Sequence, residues 1–323
     1  MTTLNNLAPA AATTAYQAAH QNAIMVDRSD LGVLLIRGET RLDLLHRMST
    51  QKLDVLPSGH GAATVLTSDI GRIIDRLLIL ATNSALYVLT GENNADNIAR
   101  YLLRFVFFND DFKLDDISAG NAVLGVYGPE AAARLSEAGF PEVEMPMHHW
   151  RRTEWDGEAV YLQRTDPIQG AGYFVICQSE AAGMVAERLA GAGIILADQA
   201  SFEYLRIEAG RPRFGHEIAQ EYIPLEVDLW DDVSFNKGCY IGQEIIARME
   251  SRGRLAKKLF RLAASAPVAV GAAITAGGKN AGVITSAADG PAGPLALGLV
   301  KAAYWDSEEP LLADGVELTP ATD

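Results

Sequence analysis

The chain has 323 residues, 49% of them apolar and 21% charged, with a formal net charge of −14. That length exceeds what one compact core usually serves and predicts two or three packed units. The acidic balance argues against general affinity for nucleic acid, which depends on Lys and Arg that displace counterions from phosphate, and no apolar run approaches the roughly 18 residues of a bilayer span.

The first 25 residues contain no Lys or Arg for a signal or transit peptide, which points to a cytoplasmic protein, and Asn5 to Thr14, rich in Ala and small polar residues, reads as a frayed leader. Leu31 to Ile36 is a short apolar run of β character, after which Leu42, Leu44, Leu45 and Met48 recur at helical spacing. Ala63 to Thr67, Ile73 to Ala81 and Leu86 to Leu89 read as strands, and Ile98, Tyr101, Leu102 and Phe105 form a helical stripe. A second passage repeats the theme: strand Ala122 to Tyr127, helix from Pro129 to about Ala138, strands Ala159 to Gln163 and Tyr173 to Cys177, then a helix with Ser179 as N-cap.

A further helix spans about Gln199 to Glu208, with Phe202 and Leu205 inward, stopped by Gly210 and Pro212. Arg211 to Gly253 is rich in loop-forming residues, and beyond Leu255 short runs such as Leu259 to Ala263, Ala281 to Thr285 and Leu295 to Lys301 predict a small barrel or sandwich. The fold class is α+β. Residues 1–253 form the α+β domain, with subdomains of roughly 20–118 and 119–253, and 254–323 the β tail.

Charge is segregated late in the chain. From Phe202 to Asn236 eight acids face three bases, and from Lys237 to Arg261 seven bases face two acids. Such bases usually form a solvated, ion-paired surface. The alternative is an anion site, because arginine grips a carboxylate with two parallel hydrogen bonds. Cys239, between Gly238 and Gly242 and two residues from Lys237, is either a small buried hydrophobe or a thiolate favoured by the nearby cation, whereas Cys177 sits in a core strand. His148-His149 lacks the spacing that would bring both rings to one metal ion.

Asp75, inside Ile73-Ile74-Asp75-Arg76-Leu77-Leu78, either faces solvent from an edge strand or lines a cavity, since burying it unpaired is expensive. Strand alternation sends Arg76 to the opposite face. Glu208, at a helix end, opposes the helix dipole.

The run Val233-Ser234-Phe235-Asn236-Lys237-Gly238-Cys239-Tyr240-Ile241-Gly242-Gln243-Glu244, with Ala247-Arg248 and Gly253, resembles the hallmark of YgfZ-type folate-binding proteins, a branch of the glycine-cleavage T-protein family that includes a mitochondrial iron-sulfur assembly factor. Gly71-Arg72-Ile73-Ile74-Asp75 resembles the T-protein segment holding its catalytic aspartate, and Arg206-Ile207-Glu208-Ala209-Gly210 the segment whose glutamate holds the pterin. The resemblance implies an aminomethyltransferase-like α+β ring around a central opening, closed by a C-terminal β-barrel.

It further implies tetrahydrofolate, or a one-carbon-substituted form, as ligand. Glu208 would accept from the pterin, Asp75 would handle a proton, Lys237, Tyr240 and Arg248 would complete the folate site, with Arg248 at the glutamate tail, and Cys239 would act on iron-sulfur carrier or client proteins. The implied role is an accessory protein for iron-sulfur enzymes; the rival is a one-carbon transferase. Arg76 stands where the aminomethyltransferase has a second acid, Thr90-Gly91 replaces its asparagine, and its carrier-facing N-terminal segment has no counterpart.

Overall fold

The computed structural model describes residues 7–253 and 255–321, without the side chain at 252. Asn5, Asn6, Arg254 and the Arg252 side chain, which figure in the expectations above, lie outside the described residues. In chain order the elements are α1 (Ala12–Gln21), β1 (Ile24–Asp27), β2 (Leu31–Arg37), α2 (Arg41–Met48), β3 (Gly61–Thr67), β4 (Ile73–Ala81), β5 (Ala85–Glu92), α3 (Ala95–Leu103) and β6 (Lys113–Asp116). Then come β7 (Asn121–Gly128), α4 (Ala131–Ala138), β8 (Trp150–Trp155), β9 (Glu158–Thr165), β10 (Ala171–Gln178), α5 (Ala182–Gly191), β11 (Ile195–Leu196), α6 (Gln199–Glu208) and α7 (Gln243–Arg252). The tail holds β12 (Lys257–Ala264), β13 (Ala273–Ala276), β14 (Lys279–Ala288), β15 (Leu295–Lys301), β16 (Leu311–Ala313) and β17 (Val316–Pro320).

Two sheets are stacked in four layers. A five-stranded antiparallel sheet, β3-β4-β5-β2-β6, faces a six-stranded sheet, β11-β1-β7-β10-β9-β8, in which only β1 and β11 run parallel. The core between them joins Val33, Leu78, Leu80 and Leu89 of the first sheet to Val26, Val123, Phe174 and Ile176 of the second, with α1 and α6 at the margin. On the outer face of the first sheet, α2 and α3 bury Leu44, Leu45, Met48, Ile98 and Leu102. On the second, α4 and α5 bury Leu135, Val185 and Leu189. Each such side chain contributes roughly 1.5–3 kcal/mol when fully buried. Sandwiching on both faces explains why β2 reads as one continuous apolar run rather than an alternating one.

Several local expectations need correction. Part of the expected leader is ordered: the Ala10 amide donates to Leu196 O at 2.9 Å, and Ala12 to Thr14 open α1, whose Ala15, Ala18 and Ala19 face is buried. β1 joins the sheet of the second passage rather than the first. Pro129 precedes α4 instead of entering it, while Gly139, at φ +107°, ends that helix. The Ser179 hydroxyl donates to Ala119 O at 3.2 Å and caps nothing; a short 3-10 turn separates it from α5. Asp198 is the side-chain cap that α6 does have, accepting from the Ser201 amide at 2.8 Å.

The stretch expected to be loop contains α7, opened by the last two residues of the signature run. The β tail is a closed barrel, β12-β15-β14-β13-β16-β17, cored by Leu262, Ile274, Ile284 and Val300. It is pinned to the α+β body through α6, where the Tyr204 hydroxyl donates to Gly293 O at 3.1 Å. No helix among the described residues is long and apolar enough to cross a membrane.

Candidate functional site

At one end of the inter-sheet space the apolar core gives way to a cavity of about 740 Å³ of empty space, part of it open to solvent. Leu78, Leu89, Ile168, Phe174, Phe202 and Phe214 supply its apolar wall, and Asp75, Arg76, Glu92, Asp166 and Arg211 are among its polar residues. Phe214 owes its place to Gly91: a Cβ there would lie 2.4 Å from the Phe214 ring.

Asp75 is fully buried at this wall, on the interior strand β4, so of the two sequence-based alternatives the cavity is the one realised. One carboxylate oxygen accepts from the Gly91 amide and from the Asn94 side chain, both at 2.9 Å, and the other from the Arg76 amide at 2.8 Å. Burial, the larger effect, still outweighs these bonds and pushes the carboxyl up to about 7. A group in that range can both take and give a proton near neutrality. Thr90-Gly91 carries no side-chain amide, as the sequence reads, and the amide that reaches Asp75 comes from Asn94.

As alternation dictates, the Arg76 guanidinium leaves Asp75 alone. It bridges Asp232 at 2.5 Å and Asp166 at 2.5 Å, tying β4 to the loop after β9 and to the segment before the signature. Burial raises the Asp166 carboxyl, but the Arg76 charge and hydrogen bond prevail and hold it at about 2.

A second network runs along the floor. Arg28 lies over the Phe202 ring at 4.4 Å and bonds Glu92 at 2.8 Å; Arg213 joins Glu92 at 3.1 Å to Glu203 at 3.2 Å. Arg206 continues to Glu203, to Glu217 at 3.1 Å and to Ser286 of the barrel at 2.6 Å. Buried charges tolerated at such a site are paired ones.

The other sequence-predicted residues stand elsewhere. Glu208 does not line the cavity: Tyr16 donates to its carboxylate at 2.9 Å, Gln169 at 2.6 Å, and His20 Nε2 is 3.1 Å away. An acid at a helix C-terminus gains nothing from the dipole, and here three partners from α1 and the β9–β10 loop compensate it. Lys237 points its ammonium at the backbone carbonyls of His46, Ser49 and Gln51, at 2.5, 2.7 and 2.9 Å, with burial lowering it to about 8. It is an anchor for the signature loop and is spent on α2's C-terminal end. Tyr240 is buried with Leu225, Val233 and Ile246.

Cys239 is exposed and Cys177 buried. Gly242, at φ +85°, lets the loop pass within 2.5 Å of Ser68 O measured from a virtual Cβ, a contact no side chain would allow. Arg248 is exposed on α7 and pairs with Glu244 at 2.7 Å, one turn away, as the bland reading of the basic block expects. Asp75 therefore shares the cavity with none of Glu208, Lys237, Tyr240, Arg248 or Cys239. His149 stacks its ring on His60 at 4.1 Å.

Sequence reasoning passed over Arg28, Glu92, Asn94, Asp166, Arg211 and Arg213, which complete the site. For the last two a signal existed: Gly210-Arg211-Pro212-Arg213 sets two cations in a rigid turn directly after α6.

The GCVT N-terminal domain family matches residues 5–237, and the family of the CAF17 C-terminal beta-barrel domain matches residues 257–323. The chain is 29% identical over 290 residues to a chloroplastic protein of Arabidopsis thaliana described provisionally as a transferase, covering 89% of this chain and 67% of that one. It is 26% identical to aminomethyltransferases of Chlorobium phaeovibrioides and Rubrobacter xylanophilus, over 73% and 88% of this chain and 66% and 77% of theirs. The crystal structure of the glycine cleavage system aminomethyltransferase T from Bartonella henselae superposes with a TM-score of 0.85 over 98% of this chain and 90% of that one, at 20% identity, a likeness of fold. Because the first family spans well over half of its length, the chain belongs to the GCVT family, with an aminomethyltransferase-type α+β body closed by a barrel of the CAF17 C-terminal type.

Proposed function

We propose that the inter-sheet cavity binds a reduced folate, tetrahydrofolate or a one-carbon-substituted form, and that the protein is a YgfZ-type accessory factor for the assembly or maintenance of iron-sulfur enzymes. The observation that carries the folate reading is Asp75, held by Gly91 and Asn94 at the wall of a cavity whose lining includes Phe202 and Phe214, in a chain of this family. Aromatic side chains suit a flat heterocycle, and a carboxyl poised near neutrality suits a ring nitrogen that gains or loses a proton. When bound, the folate would supply the one-carbon chemistry; the chain's own part is to bind, orient and manage that proton.

The accessory role rests on the signature run and on the barrel family. Lys237 and Gly242 hold the loop so that the Cys239 thiol faces solvent, where it can exchange with, or transiently ligate for, a partner. The chain then divides functionally into a folate unit, 1–253, and a barrel unit, 254–323. Calorimetric titration with tetrahydrofolate tests the first part. Saturable binding is expected, weakened on the order of tenfold in Phe214→Ala; no heat at millimolar ligand would sink it. For the second, Cys239→Ser should keep folate affinity and lose rescue of iron-sulfur enzyme activity, and full rescue would refute a role for the thiol.

A second reading, one-carbon transfer, is favoured by the raised Asp75 carboxyl. It requires turnover of a one-carbon folate that disappears in Asp75→Asn; wild-type protein inert with every amine donor excludes it.

A further inference from the structure

Five guanidinium groups line the cavity: Arg28, Arg76, Arg206, Arg211 and Arg213. Four of them are bonded to carboxylates. Arg211 forms no ion pair within 4.0 Å among the described residues: its Nε donates to Pro167 O at 3.0 Å, and neither terminal nitrogen has a carboxylate partner. Asp166, close enough to feel its charge, is committed to Arg76. An arginine at a cavity wall whose two terminal nitrogens are left over presents the fork that matches a carboxylate in bidentate fashion.

Its place adds a direction. Arg211 also borders a separate open cleft between the α+β body and the barrel, walled by Trp230, Phe260 and Trp305. Arg211 thus lines both the inner cavity and the outer cleft, at the junction of the α+β body with the barrel. Pro212 follows it and the Pro167 bond fixes its stem, so the fork is pre-organised rather than mobile.

We infer that Arg211, not Arg248, is the anion-recognising residue of this site: it takes the carboxylate tail of the ligand at the junction, with the flat ring inside the cavity and the tail leaving toward the barrel. This rests on the folate reading above and narrows the ligand to one carrying an acidic tail. Arg248, exposed on α7 and paired with Glu244, borders neither the cavity nor the cleft.

The test is calorimetric titration of wild type, Arg211→Ala, Arg211→Lys and Arg248→Ala with two probes, 5-formyltetrahydrofolate, which carries a glutamate, and 6-methyltetrahydropterin, which carries no carboxylate. Losing a charge-assisted bidentate contact should weaken the glutamate-bearing probe by roughly tenfold to a hundredfold in Arg211→Ala. 6-Methyltetrahydropterin should bind Arg211→Ala as it binds wild type. Arg211→Lys, which keeps the charge but not the fork, should recover part of the loss, and serves alone if the alanine variant fails to fold; Arg248→Ala should match wild type. Equal loss of both probes in Arg211→Ala, or no loss of either, overturns the assignment while leaving the folate reading intact. Wild type that binds neither probe removes both.

Discussion

At the cavity wall, Arg28, Arg76 and Arg213 are held by carboxylates from distant parts of the chain and Arg206 by Glu203 and Glu217 nearer in sequence, whereas in the signature loop Lys237 spends its donors on three backbone carbonyls and Arg248 lies on the surface beside Glu244. The first arrangement positions separate elements against one another: Arg76 ties β4 to two loops, and Arg206 ties α6 to the barrel. The second anchors one loop and displays what it carries. Two regions rich in charge thus do different work. The difference lies in what desolvation demands: a buried guanidinium requires a carboxylate, and an exposed one does not.

The comparison breaks most readily at Glu217, which is fully buried against Arg206. Glu217→Gln keeps the shape and removes the countercharge, and should cost about 3 kcal/mol in urea denaturation; a cost below about 1 kcal/mol would mean the network is ornamental. Asp75 gives the next effect, and its sign follows from linkage. The folded carboxyl titrates at about 7 against an ordinary value of 3.8, so the folded state holds a proton that the unfolded chain has released. Wild-type stability should therefore fall as pH rises from about 4 to about 7, by an amount on the order of a few kcal/mol. Asp75→Asn should lack that slope, so its stability relative to wild type should rise across the window; parallel pH profiles would show that Asp75 is not raised.

In the loop, Lys237→Met keeps the apolar stem but leaves three carbonyls without their donor. A loss of about 2 kcal/mol is expected, with faster hydrogen exchange across 237–242 and faster alkylation of Cys239. Unchanged exchange would deny Lys237 its anchoring role. Arg248→Ala marks the small end: stability within about 0.5 kcal/mol of wild type. A larger loss would make the exposed pair with Glu244 more than a surface contact.

The sequence by itself determined the α+β body and the β tail, because helix and strand periods are written in consecutive residues: the run at Ile73 to Ala81, the stripe through Ile98 and Leu102, and Gln199 to Glu208 are all where local spacing puts them. It also singled out Asp75, since an acid inside an apolar strand needs a reason. Only the tertiary structure decided that β1 crosses to the second sheet, that Glu208 is claimed by Tyr16, Gln169 and His20, and that Arg211 stands at the cavity without a carboxylate. These depend on which partners meet across long stretches of chain, Arg76 with Asp232 or Arg28 with Glu92, and desolvation assigns each buried charge its partner only once the layers have stacked.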